Sequence, residues 1–235
     1  CMLLLKRGRR FGMENPGYVD MYNIASTFTD DIRLLPVDEF GMRPEPDLGD
    51  CRLVYVTPSH QSPTTVTMPL GRRRTLLDMA ETDNFLIVED DYESETNYLD
   101  NPTPALKSLD RHNRVIYVGS LSKTLAPGLR LGYMVGPPAL IREARALRRL
   151  MLRHPPTNNQ RAVALFLDRG HHDALLRQIH QVFHARWQRM GDALARYMPH
   201  ASVPSAYGGS CFWVKGPTGL NCHVLRRLAA EQSIL

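Results

Sequence analysis

Residues 85–92 read FLIVEDDY and residues 114–123 read RVIYVGSLSK. Each opens as a short apolar run rich in β-branched and aromatic side chains, as a buried strand does, and each closes on polar residues. Similar runs lie at Leu34–Val37, Arg52–Val56 and Leu131–Val135, and weaker ones at Leu3–Leu5 and Phe11–Glu14 are broken by basic residues. Between Val56 and Phe85 the stretch Gly71–Ala80 (GRRRTLLDMA) spaces its apolar residues for a helix, which makes a strand–helix–strand unit with a right-handed crossover. The expected fold class is α/β, a mostly parallel sheet flanked by helices. Ligands of such sheets sit at the C-terminal ends of the strands, where EDDY and SLSK fall.

From Pro138 the pattern turns helical, over Ala139–Leu152, then Gln160–Leu167, then Asp173–Tyr197. Tyr207-Gly208-Gly209 then opens an expected strand over Ser210–Lys215, and Asn221–Glu231 reads as a last helix. The organisation this suggests is a large domain over residues 1–170, a connecting long helix over 171–200 and the start of a small α+β domain over 201–235. The chain opens on Cys1 and stops at Leu235 without a polar tail, which reads as a fragment at both ends.

With 235 residues, 43% hydrophobic and 23% charged, the composition is that of a globular protein and excludes a disordered, collagenous or coiled-coil chain. No run approaches the roughly 18 apolar residues of a membrane span. The apolar patch at Met2–Leu5 precedes its basic residues, the reverse of a signal peptide, so a cytoplasmic location is expected. Cys1, Cys51, Cys211 and Cys222 are far apart, which points to free thiols and no metal site. The net charge of +5 is local: residues 139–200 hold eleven arginines, no lysine and four acids. Arg142, Arg145, Arg148, Arg149 and Arg153 follow helical spacing. They read as a solvated helix face rather than a nucleic-acid stripe, since no aromatic interleaving or helix-turn-helix pattern accompanies them.

Lys123 follows a strand in a chain with four lysines against twenty-five arginines. Lysine forms a Schiff base and arginine does not, so this residue suits amine chemistry. Ser120, Ser122 and Arg130 would supply donors for a phosphate beside it. Of Glu89-Asp90-Asp91-Tyr92, an ionised acid beside a heterocyclic nitrogen would keep that nitrogen protonated, and a phenol two residues on could bond a ring oxygen. The plainer alternatives are a solvated loop lysine, and acids that bind magnesium or cap the next helix.

Taken together, Glu14–Tyr18 (ENPGY), Val56–Gln61 (VTPSHQ) with Pro63-Thr64, Glu89–Tyr92, Gly119–Lys123 and Ala126–Tyr133 (APGLRLGY) resemble the fold type I pyridoxal phosphate enzymes of aminotransferase class I/II. More narrowly, the TPSHQ form is similar to the aminotransferase-like domain of MocR-type regulators, in which a GntR-like winged helix precedes that domain. Free-standing aminotransferases usually carry an NPTG-like stretch there. The resemblance implies pyridoxal 5'-phosphate as cofactor, Lys123 as its Schiff-base lysine, Asp90 as partner of the pyridine nitrogen and Tyr92 as partner of O3. It further implies Ser120, Ser122 and Arg130 around the phosphate, with His60, Gln61 and Ser62 as possible pocket residues. Ser62 and Thr65 depart from the pattern, standing where an aminotransferase has Asn and Gly. Also implied are a homodimer, a small amine or amino-acid effector or substrate, and DNA contact only through a winged helix outside this chain. The phosphate-binding glycine turn and the substrate-carboxylate arginine of the family would lie before Cys1 and after Leu235. Three functions follow: an effector-sensing regulator domain, a genuine aminotransferase, or a truncated inactive relic.

Overall fold

The computed structural model describes residues 1–5, 8–93, 95–97, 103–154, 156–201 and 208–234. Its centre is a seven-stranded sheet of β1 (Phe11–Asn15), β2 (Ile32–Asp38), β3 (Gly41–Met42), β4 (Leu53–Val56), β5 (Leu86–Asp91), β6 (Val115–Ser120) and β7 (Gly132–Val135). The spatial order is β3-β2-β1-β4-β5-β6-β7. All neighbours are parallel except the two edge pairs, β2 with β3 and β6 with β7. The α/β class with a mostly parallel sheet is therefore the observed one.

The weakest expected strand lies in the middle. Phe11 and Met13 are buried on one face and Gly12 and Glu14 on the other, so β1 is covered on both sides although its sequence, FGMEN, carries no long apolar run. Gly12 sits in close packing: a Cβ there would stand 3.2 Å from both the Cys51 sulfur and a Leu35 methyl, which would have to shift by a few tenths of an ångström. The run at Leu3–Leu5 is a turn and not a strand, because Leu4 and Leu5 donate back to the Cys1 carbonyl.

One sheet face packs against α2 (Leu70–Thr82) and the short α3 (Leu106–Leu109), in a core of Leu35, Val54, Val56, Leu76, Phe85, Ile87 and Val115. The other face carries Phe11, Met13, Leu53 and Tyr55 beneath Leu5 and Ala25 of α1 (Val19–Ser26), a helix the sequence pattern did not announce. Full burial of one such side chain stabilises by about 1.5–3 kcal/mol. The expected later helices form as α4 (Pro138–Leu152), α5 (Thr157–Asp168), α6 (His171–Tyr197) and α7 (Cys222–Glu231). Asn221 caps α7 by accepting from the amides of His223 and Val224. No side chain of α4 or α7 is buried, and Val163 and His172 are the buried residues of α5 and α6.

The strand expected over Ser210–Lys215 is not formed by residues 210–214. Gly208 instead makes an isolated antiparallel bridge with Asn97, and Tyr207 lies outside the described residues. Among the described residues no helix is long and apolar enough to cross a membrane.

Candidate functional site

Strand alternation sorts the four residues of EDDY. Glu89 and Asp91 face the α2 side of the sheet, whereas Asp90 faces the α1 side with Val88. Glu89 is fully buried and accepts from the amides of Leu106 and Lys107 at 2.7 and 2.8 Å, so it caps α3 as the plainer alternative for a strand-end acid anticipates. Burial pushes its carboxyl up to about 7, against those bonds and the Arg73 guanidinium 3.8 Å away. Arg73 is itself fully buried and donates to the carbonyls of Met68, Pro58 and Pro104 at 2.9, 2.8 and 3.0 Å. Asp91 accepts from the Tyr117 hydroxyl at 3.0 Å.

Asp90 accepts from the Tyr55 hydroxyl at 2.5 Å. Burial raises its pKa and the Tyr55 bond opposes that rise. Its carboxylate lies on the wall of a cavity of about 550 Å³ whose other linings include Leu53, Val88, Ile116, Val118 and Met134. Tyr92, just past the end of β5, is half-buried, and desolvation pushes its phenol upward.

The SLSK loop leaves the adjoining strand. Asp90 pairs in register with Val118, so Ser120 projects from the same face two residues further on. The Ser120 hydroxyl accepts from the Ser122 amide at 3.2 Å, and the Leu121 amide bonds the Leu131 carbonyl at 3.1 Å, which brings the chain at Arg130 back beside the loop. Arg130 itself holds a left-handed backbone, φ 51° and ψ 44°. Gly119 admits no side chain, since a Cβ there would collide with the Tyr133 ring that covers the strand end. The Lys123 side chain is 53% exposed and its amine stands 3.9 Å from the carboxylate of Glu93, which is buried and also accepts from the hydroxyl and amide of Ser210. Asp90, Ser120, Ser122 and Lys123 thus gather at the C-terminal ends of two adjacent strands.

The TPSHQ loop is built on a buried knot. Glu14 at the end of β1 accepts from the Thr57 hydroxyl and amide at 2.5 and 3.2 Å and from the Gln61 amide at 3.1 Å. Gln61 also donates to the carbonyls of Pro16 and Ser62 and accepts from the hydroxyl and amide of Thr64. Its polar atoms are therefore engaged within the protein rather than turned to a ligand. His60 is buried with neither ring nitrogen bonded to any of the described residues, and burial lowers its pKa against the charges of Glu93 and Asp91. Ser62 is half-buried, its amide on the Thr57 hydroxyl, and is followed by a cis Ser62–Pro63 bond.

Burial pushes the Glu14 carboxyl up to about 7, from an ordinary value near 4.5. The folded chain then binds more protons than the unfolded one between about pH 4.5 and 7, so stability falls as pH rises through that window. The loss assignable to Glu14 is about 3 kcal/mol. Urea unfolding at pH 5 and pH 8 is expected to give a steeper difference for the unaltered chain than for Glu14→Gln. Equal differences would refute the buried titration.

Sequence reasoning did not single out Tyr55, Arg73 or Glu93. Tyr55 carried one usable signal, a hydroxyl inside the otherwise apolar run LVYV. Arg73, inside the triplet Arg72-Arg73-Arg74, carried none.

The aminotransferase class I and II family model matches residues 1–216. Among curated proteins, the HTH-type transcriptional regulator TauR of Rhodobacter capsulatus is 42% identical over 232 residues, 98% of this chain and 48% of the regulator. The chain thus spans about half the length of that relative. Among solved structures, Pyrococcus horikoshii kynurenine aminotransferase in complex with PMP superposes with a TM-score of 0.93 at 30% identity, over 98% of this chain and 60% of that one. LysN, the α-aminoadipate aminotransferase of Thermus thermophilus complexed with N-(5'-phosphopyridoxyl)-L-leucine, does so with a TM-score of 0.89 at 29% identity, over 98% and 61%.

Proposed function

Since this chain belongs to the aminotransferase class I and II family, we propose that it is the pyridoxal 5'-phosphate-binding part of a transcriptional regulator, with Lys123 as the amine that carries the cofactor. The observation that bears most weight is the placement of Asp90 and the Ser120–Lys123 loop on adjacent strand ends, a carboxylate and an amine with hydroxyl donors between them. That donor set fits the cofactor: an acid for the ring nitrogen, the Tyr92 phenol for the ring oxygen, and Ser120, Ser122 and Arg130 for the phosphate. When bound, pyridoxal phosphate supplies an aldehyde that takes up amines and a ring that withdraws electrons from the attached carbon.

The chain's own groups divide the remaining work. Asp90 would hold the proton on the ring nitrogen, Tyr92 would bond the ring oxygen O3, and Lys123, whose side chain is 53% exposed, would carry the cofactor on an amine that other amines can reach. Ser62 and the buried His60 remain the candidate pocket residues of the TPSHQ loop, since Gln61 is engaged in the knot with Glu14. Residues 1–170 are read as the cofactor-carrying domain, 171–200 as a connecting helix and 201–235 as the start of a smaller domain.

The regulator reading, with a small amine or amino acid as effector, a homodimer as the working unit and DNA contacted by a winged helix outside this chain, rests on the 42% identity to TauR against 30% to the kynurenine aminotransferase. A genuine aminotransferase is the second reading, favoured by the presence of Asp90, Tyr92 and Lys123 together. The test is an absorbance spectrum with added pyridoxal phosphate, then borohydride reduction and peptide mapping. A reduced adduct on Lys123 is the expected result, and a folded chain that gives none, or one elsewhere, overturns the assignment. Incubation of the loaded protein with amino acids and 2-oxo acids then separates the readings, since the regulator is expected to form no new 2-oxo acid over many cycles.

A further inference from the structure

Asp90 is a half-buried carboxylate placed among the apolar side chains of Leu53, Val88, Ile116, Val118 and Met134, where an unpartnered charge is costly. Among the described residues Tyr55, a residue 3% exposed, is its hydrogen-bond donor, at 2.5 Å. The two side chains stand on neighbouring strands: Tyr55 pairs in register with Val88, two residues before Asp90 on the same face. Both are held by the sheet, so the bond needs no loop to order. Its geometry engages one carboxylate oxygen and leaves the other free.

We infer that Tyr55 is the positioning residue of Asp90: it fixes the side chain, favours the ionised form and leaves one oxygen for the ring nitrogen of the cofactor. This rests on the role given to Asp90 above. A donor to an ionised carboxylate stabilises the charge that burial disfavours, and the two effects are opposed here. The other titratable groups near the pair are Glu14 at the end of β1, Tyr18 ahead of α1, Asp91 and Tyr92 on the Asp90 strand end, and, on the cavity wall, Arg148 of α4 and Cys1 with its thiol and amino group. Arg148 is the one side-chain cation in this group and it forms no hydrogen bond to Asp90.

The test is the titration of Asp90 in the full chain without cofactor, followed by carbon NMR of γ-labelled aspartate, with the signal assigned by its disappearance in Asp90→Asn. Tyr55→Phe is expected to move the Asp90 midpoint upward. Replacement of Tyr55 by 3-fluorotyrosine, a stronger donor of the same shape, is expected to move it downward, which guards against misfolding of the first variant. A midpoint that moves in neither overturns the inference.

Pyridoxal phosphate itself is the second probe. With Tyr55→Phe its affinity at neutral pH is expected to weaken about tenfold, as loss of a bond to a charged group implies. The acid side of the affinity profile is expected to shift upward with the Asp90 midpoint. If the midpoint moves while the affinity and its pH profile stay unchanged, Asp90 does not face the ring nitrogen, and the failure lies in the functional reading. In the Asp90→Asn background, Tyr55→Phe is expected to cost nothing further. An added loss there would make Tyr55 a packing residue and overturn its positioning role.

Discussion

Lys123→Ala is expected to reduce borohydride-stable incorporation of pyridoxal phosphate to background, the largest functional effect of any single substitution in this chain. Two of the three other lysines explain why, the third, Lys6, lying outside the described residues. Lys107 donates from its amine to Asp110 at 2.8 Å and to the Val115 carbonyl at 2.9 Å, holding that nitrogen against the protein. Lys215 is exposed in the segment after Ser210 and has no phosphate donors beside it in sequence. Lys123 follows two hydroxyl residues, one of which already receives a backbone amide. Lys123→Arg sharpens the test, because it keeps a cation beside Glu93 but lacks a nucleophilic amine. Both variants are expected to lose the adduct while folding normally. If Lys123→Arg retained it, the label would be on another amine and the site assignment would fall.

Arg73→Met is expected to produce the largest loss of stability, about 3–5 kcal/mol from a total of about 5–15. The substitution matches the shape of the arginine stem but removes three donors from the carbonyls of Pro58, Met68 and Pro104, the first two buried, and it leaves Glu89 without its cation. Arg73→Lys is expected to recover little, since one ammonium cannot reproduce the guanidinium fork that reaches three carbonyls. The double variant Arg73→Met with Glu89→Gln removes the stranded charge and is expected to regain part of the loss. Denaturant midpoints measure all three, and a loss below about 1 kcal/mol for Arg73→Met would show that the core adapts without it. The effect extends to the site, because Pro58 lies in the TPSHQ loop and Glu89 lies one residue before Asp90.

Much of the fold was legible locally. The apolar runs at residues 52–56, 85–88, 114–118 and 131–135 all became strands, and the periodic stretches after Pro138 all became helices. Short buried strands and amphipathic helices carry their pattern in neighbouring residues, so no distant contact is needed to recognise them. What the sequence left weak or misplaced depended on distant contacts. FGMEN became the strand between β2 and β4 because Cys51, Leu35 and Val54 close over Gly12, and none of these is near it in sequence. Leu3–Leu5 had the apolar composition of a strand but found no neighbour to pair with, and it closed into a turn.

The sequence by itself determined the chemical inventory: one lysine after a strand, two serines and an arginine around it, an acid and a phenol at the end of the strand before it. It also determined the family, since those residues recur in motifs that need no structure to recognise. Only the tertiary structure decided how the three adjacent acids divide. A strand turns successive side chains to opposite faces, so Glu89 caps a helix and meets Arg73 while Asp90 turns to Tyr55. Which face is which depends on strand register and on what packs above each side of the sheet, and those are properties of residues brought together from 14 to 118 rather than of any one stretch.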